Sequence, residues 1–115
     1  MIKVIKKIKN FWYRSIENKE ISYKKMMDMI KNSNINLIDV RSSQEYEEGH
    51  LDGALNIPVY QIDKEIEKFV DNKEDAIVLY CSSGYRSKEA KDILENLGYE
   101  NVYHLKGGLD RIWIK

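Results

Sequence analysis

The chain has 115 residues, 43% hydrophobic and 33% charged, which suits one globular domain with its own core and excludes a disordered tail. Its 19 basic residues offset 19 acidic ones, so it lacks the positive excess of a protein that binds nucleic acid by bulk electrostatics. No apolar stretch approaches the roughly 20 residues of a membrane span, and the single cysteine, Cys81, excludes an intramolecular disulfide or a multi-thiolate metal site and fits a reducing, cytoplasmic setting.

In chain order, residues 1–20 read as a basic amphipathic N-terminal extension. Lys3, Lys6, Lys7, Lys9 and Arg14 interleave with Ile2, Ile5, Ile8, Phe11 and Trp12 at helical spacing, and no acid falls within residues 1–14. Such a helix has the character of one that lies on an anionic membrane surface. Packing of its apolar stripe on the domain is the favoured reading, because one short basic stripe is a weak membrane signal. The lysines interrupt every apolar core a signal peptide would need. Residues 21–115 form the expected domain.

Within it, Ser22 stands as the N-cap of a helix running to about Lys31. Asn36–Val40 reads as a short buried strand. Ser42 or Ser43 caps a turn of helix over Gln44–Glu48, stopped by Gly49. Leu51–Ile57, punctuated by Gly53 and followed by Pro58, reads as loop plus a short strand. Ile62, Ile66, Phe69 and Val70 recur at helical spacing. Ala76–Tyr80 is a near-continuous apolar run, the mark of a strand covered on both faces and hence of a parallel sheet. From Ser87, the stripe Ala90, Ile93, Leu94 and Leu97 predicts an amphipathic helix closed by Gly98. Asn101–Leu105 is a last strand and Gly107-Gly108 a turn. The alternation predicts an α/β domain, a central and mostly parallel sheet flanked by helices.

Cys81 follows the strongest strand and precedes a helix. In open α/β sheets, ligands bind at the carboxyl ends of the strands. The joining residues Ser82, Ser83, Gly84, Tyr85, Arg86 and Ser87 are mostly small, so the backbone is free to curl with its N–H groups inward, an anion-binding nest at a helix N-terminus. A thiol there is expected to be acidified by the helix dipole, those N–H groups and Arg86, and the thiolate is the nucleophile. The alternative is a buried, inert cysteine serving as a small hydrophobe. Its place between strand and helix, with Gly84 and Arg86 at close spacing, favours the nucleophile.

The pattern Cys81-x-x-Gly84-x-Arg86-Ser87 resembles the active-site loop of the rhodanese family of sulfurtransferases. The resemblance extends to Leu37-Ile38-Asp39-Val40-Arg41, to Glu45-Tyr46, to Gly49 through Pro58, and to Val102 through Gly108. It covers one such domain, from about Ile21 onward. Family members place a Trp four residues after the second glycine. Here Trp113 is five after Gly108, so the final helix is expected to be short or differently docked.

The resemblance implies that Cys81 takes the outer sulfur of a small anionic donor such as thiosulfate, becomes a persulfide, and passes the sulfur to cyanide or to a thiol, which a protein acceptor could supply. No cofactor is expected, and no metal either, since Cys81 with the two histidines lacks any recognised zinc spacing. Arg86 is expected to neutralise the donor's sulfonate oxygens. The N–H groups of Ser82 to Ser87 are expected to hold the anionic sulfur. The hydroxyls of Ser82, Ser83 and Ser87 add donors or serve as caps, and Tyr85 shapes the rim. Asp39 and Arg41 are expected to form a structural ion pair tying the Cys81 loop, in preference to a catalytic acid and base. Glu45, Glu47 and Glu48 read as a solvated face, His50 as a loop hydrogen-bonder, and His104 as a strand residue facing solvent. Four residues separate Cys81 from Arg86, whereas the phosphatase-like and arsenate-reducing relatives have five; both chemistries rank below sulfur transfer. A sulfur carrier without turnover and a pure binding module are the remaining alternatives.

Overall fold

The structure is a computed structural model, and it describes residues 19–113. The expected basic helix and its membrane contact lie outside the described residues. Five strands, β1 (Glu20–Ile21), β2 (Ile35–Asp39), β3 (Leu55–Asn56), β4 (Ala76–Tyr80) and β5 (Val102–Leu105), form one sheet in the order β1-β5-β4-β2-β3. Every pair is parallel. Four helices connect them: α1 (Tyr23–Asn32), α2 (Ser43–Glu48), α3 (Ile62–Phe69) and α4 (Tyr85–Asn96), with 3-10 turns at Val59–Gln61 and Leu109–Arg111.

β4 lies mid-sheet, bonded to β2 on one side and β5 on the other, which is why its sequence is apolar throughout. Its side chains alternate between two cores. Ile77, Leu79 and Cys81 join Ile38, Val40, Ile62, Ile66, Leu94 and Val102 beneath α3 and α4. Val78 and Tyr80 join Met26, Leu37, Leu105 and Leu109 beneath α1 and α2. Cys81 thus continues the stripe that faces α4.

Local signals set the helix starts. Ser22 caps α1, its side chain accepting from the Lys25 N–H. Ser42, not Ser43, caps α2 through a reciprocal capping box with Glu45. α4 begins at Tyr85, two residues before the expected Ser87, because Gly84 at φ 103 turns the chain into the helix. Two elements depart from expectation. β1 is a two-residue edge strand, too short for any periodicity to reveal. In α3 the buried positions are Ile62 and Ile66, with Phe69 51% exposed, so the apolar stripe passes from Ile66 to Val70 at the helix end. After Gly108 the described residues make a 3-10 turn at Leu109–Arg111.

Candidate active site

The site forms at the carboxyl ends of β4 and β2. Cys81 is fully buried, and two backbone N–H groups of the following loop point at its sulfur: Gly84 at 3.1 Å and Ser87 at 3.3 Å. The Ser87 hydroxyl lies 3.6 Å from Sγ. Both donors belong to the start of α4, so the positive end of the helix dipole meets the sulfur. These are fixed dipoles that need no rearrangement to meet the sulfur.

The curled loop needs its other side held. Its carbonyls face away from the sulfur and are bonded by the chain after Gly108: the Leu109 N–H donates to the Cys81 carbonyl at 3.0 Å and the Asp110 N–H to the Ser82 carbonyl at 2.8 Å. Gly108, at φ 62, runs so close that a Cβ there would stand 2.5 Å from the Cys81 carbonyl oxygen. The expected Gly-Gly turn is therefore a part of the site's frame.

Arg86 stands at the rim, and its guanidinium grips Glu45 with two hydrogen bonds of 2.7 and 3.0 Å and reaches the Ser82 hydroxyl at 3.3 Å. This corrects the reading of Glu45 as part of a solvated face. The Arg86 hydrogen bond, with the capping bonds from Ser42, holds the Glu45 carboxyl down to about 2 from an ordinary 4.5. Arg86 is raised in turn, chiefly by its hydrogen bond to Glu45. The capping-box spacing Ser42-x-x-Glu45 was the sequence signal for an engaged Glu45. Ser83 and Tyr85 are exposed at the mouth, Tyr85 by 82%.

Asp39 and Arg41 form the expected buried pair, with Arg41 Nη2 2.7 Å from Asp39 and 2.6 Å from the Gly49 carbonyl. They project from β2 toward the α2 core, the opposite face from Cys81. The pair braces the end of α2 and stacks between the rings of Tyr80 and Trp113, 5.9 and 5.8 Å from the guanidinium carbon. The pair is structural as expected, but its bonds go to Gly49 and not to the Cys81 loop. The Trp113 ring lies over Gly49. A cleft lined by Arg41, Glu45, Gly49, Ser82, Asp110 and Trp113 opens between this brace and the loop.

His50 stacks on Tyr46 and bonds its carbonyl, a loop contact as expected. His104 is a second correction: it is 1% exposed and lies beside Ser87 on the α4 face, with Nδ1 3.2 Å from the hydroxyl. Its parity with buried Val102 along β5 carried that information, since a sheet covered on both faces leaves no solvent side. Among the described residues, no cluster of three His, Cys, Asp or Glu side chains has metal-binding geometry, and no helix is long and apolar enough to cross a membrane.

Comparison with known proteins follows the same lines. A family model for the rhodanese-like domain matches residues 22–115. The thiosulfate sulfurtransferase PspE of Escherichia coli is 40% identical over 75 residues, covering 65% of this chain and 71% of that protein. The tRNA uridine(34) hydroxylase of Buchnera aphidicola is 36% identical over 93 residues, 77% of this chain. The chain spans only 30% of that hydroxylase and 22% of its Erwinia tasmaniensis counterpart. Among solved structures, the human single-domain sulfurtransferase TSTD1 aligns with TM-score 0.70 at 25% identity, over 78% of this chain and 90% of that one. SSP1007 from Staphylococcus saprophyticus aligns at 0.73 and 29% identity, over 83% and 93%.

Proposed function

The chain belongs to the rhodanese-like domain family, and from that membership we propose that Cys81 relays sulfane sulfur from a small anionic donor of the thiosulfate class to cyanide or a thiol. The Cys81 thiolate attacks the outer sulfur of the donor. A new S–S bond forms to Sγ while the donor's own S–S bond breaks, its electron pair leaving with sulfite. The acceptor then attacks the outer sulfur of the persulfide and the Cys81 thiolate departs, restoring the start. Covalent relay of this kind predicts ping-pong kinetics.

One observation carries the reading: two N–H donors from the start of α4 converge on Sγ at 3.1 and 3.3 Å. They favour the anionic sulfur in both halves of the cycle. Arg86, held by Glu45, meets the donor's sulfonate oxygens with the N–H groups that Glu45 and Ser82 leave over. The four-residue spacing from Cys81 to Arg86 suits a sulfur atom better than a tetrahedral phosphate.

A second reading makes the domain a sulfur carrier that loads once and waits for a protein acceptor. The small share of the hydroxylases that this chain matches favours it, since there the domain is one segment of a longer protein. Intact mass before and after incubation with thiosulfate tests both. The expected result is a gain of one sulfur atom, removed by cyanide and absent in Cys81→Ser. Repeated turnover with cyanide would identify the enzyme, a single loading the carrier. No gain from thiosulfate or polysulfide would overturn both readings.

A further inference from the structure

Buried polar groups on the α4 side of the sheet form one chain leading to the sulfur. Ser87 is wholly buried, with Oγ 3.6 Å from Cys81 Sγ, 3.1 Å from the Gly84 carbonyl and 3.2 Å from Nδ1 of His104. His104 Nε2 makes no hydrogen bond and lies 3.6 Å from the carboxylate of Glu20, its register partner across β1 and β5. A hydroxyl has one proton and two lone pairs. Ser87 has three neighbours, so what it offers the sulfur depends on the other two. If Nδ1 is bare, the ring takes the hydroxyl proton and Ser87 meets the sulfur with a lone pair, which suits S–H. If Nδ1 carries a proton, the ring donates to Oγ and the hydroxyl proton is left to the two other neighbours, the Gly84 carbonyl and the sulfur, of which an anionic sulfur is the stronger acceptor.

We infer that His104 is a positioning residue for Cys81, acting through Ser87: its Nδ1–H donates to Oγ and turns the hydroxyl proton toward an anionic sulfur. Its value for catalysis rests on the sulfur-transfer reading, whereas its effect on the thiolate needs no donor. Glu20 of β1 faces the ring from one side, and Lys88, Lys91 and Asp92 of α4 are the charged groups on the other. Burial pushes His104 down, with Glu20 opposing.

The ultraviolet absorbance of the Cys81 thiolate, followed with pH as the difference from Cys81→Ser, tests this on the full chain. His104→Leu is expected to move the midpoint of thiolate formation up by about half a unit to one unit. His104→Asn, whose amide places an N–H where Nδ1 stands, is expected to restore most of that shift. In a Ser87→Ala background, His104→Leu is expected to add nothing. An unmoved midpoint in His104→Leu, or an equal shift with and without Ser87, overturns the inference. Should the variants not fold, the wild type decides: the ring nitrogens of His104, observed by nitrogen-15 resonance, are expected to change with the midpoint of Cys81, and ring signals indifferent to Cys81 overturn the inference. None of these measurements uses a sulfur donor. A protein that behaves as expected here yet gains no sulfur would defeat the sulfur-transfer reading and leave the role of His104 standing.

Discussion

Glu45 is the residue whose charge state most directly reports the site's frame. Its carboxyl ionises at about 2 in the fold against an ordinary 4.5. A lowered folded value means that the charged form stabilises the fold above the ordinary value, and that this contribution disappears as pH falls from 4.5 toward about 2. Glu45→Gln is therefore expected to be less stable at neutral pH, by no more than about 1 kcal/mol for a pair whose side chains are 38% and 33% exposed. The two proteins should converge as the pH approaches the lower value, which urea denaturation at a series of pH values will reveal. A difference that persists in acid would place the effect in packing, not charge. At this scale the sequence made Cys81, Gly84 and the Asp39–Arg41 pair legible, because a strand end, a turn residue and a local carboxylate–guanidinium pair are near-neighbour facts. It left Glu45 and His104 obscure, because their partners Arg86 and Ser87 are 41 and 17 residues away.

At the scale of elements, the loop after β4 and the turn after β5 form one unit. Gly108 has φ 62 with ψ −161, a backbone essentially reserved for glycine, and its Cα faces two loop carbonyls. Gly108→Ala must add a Cβ against backbone that has no side chain to swing aside. The expected cost is roughly 2–4 kcal/mol, from overpacking together with backbone strain. Sulfur loading at Cys81 is expected to fall with it, since the loop is the part displaced. Paired urea melts and intact-mass measurements check both; wild-type stability would mean that this crossing has slack. Most elements were readable because each carries its own cap, stripe or glycine. The exceptions have physical reasons: β1 depends wholly on β5 for its existence, and the register of α4 depends on a left-handed Gly84 that no apolar spacing records.

The whole molecule is two cores sharing one sheet. β4 supplies Ile77 and Leu79 to one and Val78 and Tyr80 to the other, so neither can dissolve alone without tearing the central strand from its partners. Leu79→Ala on the α4 side and Met26→Ala on the α1 side, both fully buried, should each cost about 2–5 kcal/mol. Each is expected to lower one common transition, identical by far-UV circular dichroism and by amide exchange in β4. Two separated transitions would contradict a shared centre. The same wiring bears on the order of events at the ribosome. The Cys81 and Ser82 carbonyls are each synthesised 28 residues before the amides, of Leu109 and Asp110, that fasten them. A nascent chain therefore holds its cysteine before the amides that fasten the loop exist, and the cradle is finished only when the segment after Gly108 docks.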